Sequence, residues 1–93
     1  MQSLHAFSMG VLAEMLRRQP PSKERTTFAW SVAVGPATAR ATTVELAGDV
    51  LTVRARDQRW AYEVHRNRAT VLARLQALLG TDTVRDISIL REV

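Results

Sequence analysis

The 93-residue chain contains no cysteine, and lysine occurs once, at position 23, among thirteen basic residues. The first absence excludes disulfides, thiolate metal sites and a cysteine nucleophile, and it suits a reducing, intracellular setting. No run approaches the ~20 apolar residues that span a bilayer, and no basic segment precedes an apolar run near Met1, so no membrane contact and a cytoplasmic location are expected. Glycine is confined to positions 10, 35, 48 and 80, a spacing that forms neither a phosphate-cradling loop nor a G-x-x-G clamp. His5 and His65 fall in different segments with no acidic residues at ligand spacing, and no G-x-S-x-G nucleophile turn is present. The expected protein is therefore not an enzyme and holds neither metal nor cofactor.

What is present suffices for one core. Hydrophobic residues make up 46% of the chain, and a chain of this size buries roughly 60–68% of its unfolded surface, so residues 1–93 are read as a single domain. Leu4, Val11, Leu12, Met15 and Leu16 share one face at helical spacing, with Phe7 at its margin. They predict a helix from about Ser3 to Arg18, whose end suits Arg17 and Arg18. Pro20 and Pro21 stop it, residues 19–22 form a short stiff linker, and Ser22 is the expected N-cap of a second helix over about Lys23–Val34. Phe28 and Val32 oppose Trp30 and Val34 on that helix, so it is expected to be sandwiched, with Trp30 in the core. Gly35-Pro36 ends it, leaving room for a helical turn over residues 37–41.

From Thr42 the apolar period becomes two. Val44, Leu46, Leu51, Val53 and Ala55 share one face of a hairpin turned by Ala47-Gly48-Asp49, with Glu45, Thr52, Arg54 and Arg56 on the other. A third helix over about Gln58–Leu79 carries Trp60, Ala61, Val64, Val71, Leu72, Leu75, Leu78 and Leu79 on one stripe, capped by Gly80. Arg68 falls inside that stripe and reads as structural. Around Asp86–Ile89 a closing strand turns Ile87 and Ile89 inward, with Arg85 and Arg91 near its outer face, and no tail is expected beyond Val93. The order α-α-β-β-α-β gives an α+β fold with helices packed on one face of a three-stranded sheet.

Charge is concentrated. Between Arg54 and Arg74 there are six arginines against Asp57 and Glu63, a local surplus equal to the net charge of +4 for the whole chain. Arginine's planar fork binds phosphate and stacks on bases, which makes an anionic polymer the first partner to consider. Arg59, Tyr62 and Arg66, at i, i+3 and i+7, place an aromatic ring between two guanidinium groups on one helix flank, an arrangement suited to a single strand. The plainer reading is a tyrosine half-packed between solvated arginines. Arg54 and Arg56 alternate with inward residues and extend the same strip, unless Glu45, across the hairpin, neutralises Arg54. Trp60 has a helical phase that points to the core.

The ordered set Trp30-x-x-x-Val34-Gly35, Ala39-x-x-Thr42, Leu46-x-Gly48-x-x-Leu51-x-Val53, Trp60-Ala61-x-Glu63-Val64 and Leu72-x-x-Leu75 resembles the DciA family of bacterial proteins that assist the replicative helicase DnaB. The resemblance implies a KH-like domain that binds DNA, single-stranded or with single-stranded regions, and helps load or operate the helicase at replication initiation, near the nucleoid. Arg54, Arg56, Arg59, Tyr62 and Arg66 are the expected DNA contacts. Two alternatives remain open on the residues: a protein-interaction domain whose arginines meet an acidic partner without nucleic-acid affinity, and an RNA-binding KH-like protein.

Overall fold

Proline, serine and glycine break the first half of the chain where their backbone preferences require. In the computed structural model, which describes residues 9–91, α1 (Met9–Arg18) stops ahead of Pro20. Leu4, His5 and Phe7 lie outside the described residues. The Ser22 hydroxyl accepts from the Arg25 amide at 3.0 Å and so starts α2 (Lys23–Val34), satisfying one of the donors that a helix start leaves without a partner. Gly35 ends α2 at φ +88° while its N–H donates to the Ser31 carbonyl at 2.9 Å, a backbone conformation that a side chain disfavours. Pro36 then opens the short α3 (Pro36–Arg40), matching the helical turn expected after Gly35.

Small residues decide which helix faces are buried. On α2 the buried face is Arg25, Thr26, Ala29, Trp30 and Ala33, with Val32 and Val34 half-buried. This face lies against the later helix Arg68–Leu79 and the strand Thr42–Ala47, while Phe28 stands outside it at 48% exposure. Two-sided packing therefore exists, but Phe28 is not part of it. On α1 the buried residues are Ala13 and Leu16, and Val11 and Met15 are exposed at 46% and 52%. The stripe read from large side chains alone is thus rotated toward Ala13, because alanine lets α1 approach its neighbour closely.

The hairpin of β1 (Thr42–Ala47) and β2 (Val50–Ala55) closes through Gly48 and Asp49, with Gly48 at φ +65°. This is the positive φ that a two-residue hairpin turn requires. The antiparallel register runs from Thr42↔Ala55 to Ala47↔Val50, which places Glu45 opposite Thr52 and Thr43 opposite Arg54. No Glu45–Arg54 ion pair forms among the described residues. The last strand, β3 (Asp86–Arg91), pairs in parallel with β2, so the sheet order is β1-β2-β3. Central β2 buries Leu51, Val53 and Ala55 completely. Val44, Leu51, Val53 and Ile87 join the helices in one core, while Thr43, Glu45, Arg54, Ser88 and Leu90 lie on the open face. The result is a KH-like α+β fold with its helices on one side of a mixed three-stranded sheet.

Two expectations are corrected. The long third helix is two helices, α4 (Gln58–Arg66) and α5 (Arg68–Leu79), parted at Asn67. The Asn67 side-chain amide donates to the Glu63 carbonyl at 2.9 Å and to Glu63 Oε2 at 3.2 Å. A short polar side chain bonding back to the preceding turn competes with helix continuation. The break lets α4 lie against β2 and β3 while α5 turns to meet α1 and α2. Arg91 shares the alternation of Ile87 and Ile89, and its guanidinium donates to Gln58 Oε1 at 3.1 Å at the start of α4. It therefore reaches toward the helices rather than lying on the outer face.

Polar side chains tie these layers. The Trp30 indole N–H donates to Thr42 Oγ1 at 2.9 Å, and that hydroxyl donates to the Thr38 carbonyl at 2.7 Å, joining α2, α3 and β1. Thr42→Val keeps the shape but leaves a buried indole N–H without an acceptor, so urea unfolding followed by tryptophan fluorescence should show a drop of about 1–3 kcal/mol. A change within error would mean that the relay carries no net stability.

Candidate nucleic-acid interface

The basic residues separate into those engaged by the fold and those left to solvent. Arg25 is 7% exposed and donates to the Leu16 and Gln19 carbonyls at 3.1 and 3.3 Å. Arg17 reaches the Ala77 carbonyl at 2.8 Å and Arg74 the Ala33 carbonyl at 2.9 Å. Each of these acceptors lies at or just beyond the C-terminal end of a helix, where carbonyls lack intrahelical donors and carry partial negative charge. Arg68 pairs with Asp86 and also donates to the Ile87 carbonyl at 3.3 Å, the structural role its place in the apolar stripe suggests. Arg85 bridges Asp49 and Asp82, and Arg18 pairs with Glu14.

The residues expected to contact DNA are mostly outside this set. Arg54, Arg56 and Arg59 are exposed and have no carboxylate partner among the described residues. Arg66 lies 3.9 Å from Glu63, with side chains 65% and 45% exposed, a separation and exposure worth only a few tenths of a kcal/mol. Tyr62 is 63% exposed. Its ring therefore offers most of its surface to a stacking partner.

The fold arranges these five as two legs joined at a corner. Arg54 and Arg56 occupy alternate positions along and just beyond β2, so both project on the side away from the helices. Asp57 then caps α4 by accepting from the Trp60 amide at 3.0 Å, which fixes where the chain turns. Arg59, Tyr62 and Arg66 follow on the exposed flank of α4, whose Val64 is buried in the core on the opposite layer. The legs meet between Arg56 and Arg59. The Arg59 guanidinium sits 5.7 Å from the Trp60 ring centroid, a cation–π contact that steadies it without neutralising it. Trp60 itself is half-buried.

Two further cations adjoin the corner and carry no local sequence signal. The Arg56 amide donates to the Ala41 carbonyl at 2.9 Å, which brings Arg40, at the end of α3, beside Arg56. Lys23 opens α2 and lines the same groove as Arg54. Both are exposed and have no ion-pair partner among the described residues. The hairpin register held the signal for Arg40, since one step beyond Thr42↔Ala55 sets Ala41 opposite Arg56.

Among the described residues, no helix is long and apolar enough to cross a membrane. Residues 6–89 match the family model described as "Dna[CI] antecedent, DciA". No curated protein gives a match.

This division of arginines is measurable by stability alone. Arg68→Ala removes an ion pair and a backbone hydrogen bond and should lower unfolding free energy by about 1 kcal/mol or more, whereas Arg54→Ala and Arg59→Ala should stay within about 0.5 kcal/mol of the parent. Equal destabilisation for all three in chemical denaturation would contradict it.

Proposed function

Since the chain belongs to the DciA family, whose members assist the replicative helicase DnaB, we propose that it helps load or operate that helicase by engaging DNA through the arginine corner at the end of β2. The observation that carries this reading is selective neutralisation. The fold engages Arg17, Arg25, Arg68, Arg74 and Arg85 and leaves Arg18 and Arg66 in exposed pairs with Glu14 and Glu63, whereas Arg40, Arg54, Arg56 and Arg59 have no carboxylate partner among the described residues. Guanidinium groups held in this way offer bidentate donors to successive phosphates. Tyr62, projecting farther along α4, supplies a face on which a base stacks, worth ~1–3 kcal/mol.

The chemistry favours single strands or junctions over a regular duplex. An exposed ring stacks only on a base that has been freed from its neighbours, whereas phosphate contacts alone are indifferent to strandedness. Bound DNA would bend from the open sheet face onto the flank of α4. Nothing in this arrangement calls for bond chemistry, and the protein acts by position: it holds a strand where a helicase ring can close on it.

A second reading, a protein-contact domain without nucleic-acid affinity, draws on the exposed apolar side chains Met15 and Phe28. Fluorescence anisotropy with single-stranded oligonucleotides over a salt series, beside a pull-down on DnaB, separates the two. Under the DNA reading, Arg56→Ala and Arg59→Ala each flatten the dependence of log affinity on log salt, by ~0.7 for every single-strand phosphate that is no longer neutralised. Helicase capture with no oligonucleotide binding at low salt would replace the DNA reading by the protein-contact one.

A further inference from the structure

The two edges of the sheet are finished differently. At the β3 edge, the Ile87 N–H donates to Asp86 Oδ1 at 2.9 Å and its carbonyl accepts from Arg68 Nε at 3.3 Å. Side chains thus occupy both outward backbone groups of Ile87, which would otherwise pair with another strand, one of the ways proteins blunt sheet edges. At the β1 edge the corresponding groups are left open. The Arg56 amide bonds to the Ala41 carbonyl, which fixes the alternation of the antiparallel ladder. Residues 43, 45 and 47 therefore face β2 with their backbone groups, while Val44 and Leu46 turn theirs outward. Among the described residues, no side chain bonds to the Val44 or Leu46 backbone.

A groove of 720 Å³ runs along this open edge, between β1 and the first turns of α2. Lys23, Thr26 and Trp30 line its helix side, and Val44, Leu46 and Arg54 its sheet side. Lys23 and Arg54, neither of them in an ion pair among the described residues, bring two cations to it against the single carboxylate of Glu45.

We infer that the β1 edge and its groove accept an extended peptide of alternating apolar and acidic residues as a fourth strand. Three features select this occupant. The outward N–H and C=O groups of Val44 and Leu46 repeat every second residue, the spacing that another strand presents, and main-chain pairing of this kind is a recurrent mode of peptide capture. Apolar side chains of the added strand point to the helix side, against Trp30, Val44 and Leu46, and its carboxylates turn to the open face that carries Arg54. Lys23, exposed where it lines the groove, adds longer-range attraction for an acidic strand. The open carbonyls of Val44 and Leu46 disfavour a nucleic-acid strand in the same place, because they would face its phosphates. This site shares only Arg54 and the adjoining Lys23 with the corner assigned to DNA, and its backbone pairing stands whether or not the chain binds DNA.

The test uses the isotope-labelled protein and a fluorescein-labelled octapeptide of alternating valine and aspartate. Backbone amide exchange at Val44 and Leu46 should be fast in the free protein and slow by about tenfold or more when the peptide pairs with the edge. The same peptide with N-methylated backbone amides should give no protection. Leu46→Pro removes one outward N–H without touching a ladder bond and should weaken binding by roughly three- to tenfold. Lys23→Glu inverts the charge at an exposed position and should weaken the aspartate peptide while favouring a valine–lysine counterpart, so the inference survives or fails even if the proline variant unfolds. Amides of Val44 and Leu46 already protected in the free protein would overturn the proposal. So would protection by oligothymidylate but not by the peptide, or self-pairing of the edge seen as a dimer in sedimentation equilibrium.

Discussion

Helix C-termini in this protein are held by guanidinium groups from other parts of the chain, and the surface charge follows from that constraint. Arg25 reaches back to the end of α1, Arg17 crosses from α1 to the end of α5, and Arg74 crosses from α5 to the end of α2. Each bond links two elements and places a positive group where the helix field is negative. In a domain without disulfides, such links position helices against one another where a small apolar core alone is marginal. They also remove three cations from general use. Four of the cations that stay unneutralised, Arg40, Arg54, Arg56 and Arg59, are gathered at one end of the hairpin.

Much of this was legible in the sequence, for reasons that differ from element to element. The hairpin could be read because one face of the sheet is open, so inward Val44, Leu51 and Val53 alternate with outward polar residues. The helix boundaries at Ser22, Gly35-Pro36 and Gly80 carry their signals in single residues with strong backbone preferences. The buried faces of α1 and α2 were less visible, since Ala13, Ala29 and Ala33 do much of the close packing and contribute little to a pattern of large apolar residues. The break at Asn67 was hidden because Val64 and Val71 are seven residues apart and stay in phase across it. At the candidate site, Arg54, Arg56, Arg59, Tyr62 and Arg66 were visible as a cluster in sequence, whereas Arg40 joins them only through strand pairing. Which arginines are tied to carbonyls depends on tertiary approach and left no trace in local sequence.

The one-sided sheet divides labour between its surfaces. Helices seal the face that carries Leu51 and Val53, which leaves Thr43, Glu45, Arg54 and Ser88 facing solvent on the other. A strand covered on one side only exposes alternate side chains, so β2 can build the core and present Arg54 with the same six residues. The turn at Asp57 passes that charge to α4 without an intervening loop. The proposed contacts to DNA thus draw on a short stretch of chain whose backbone is fixed at both ends.

The parallel pairing of β3 with β2 also orders events in time. β1 and β2 meet through a two-residue turn, a nearly local closure, but β3 finds its place only after the crossover from Arg56 to Arg85 has folded back. Closing that longer loop costs more entropy and yields its reward late. The hairpin is therefore the pairing that costs least to close, and the docking of β3 depends on the helices folded between the two strands. Without β3, central β2 would be a second open edge, so the Arg68–Asp86 clasp helps to hold in place the strand that closes that side of the sheet.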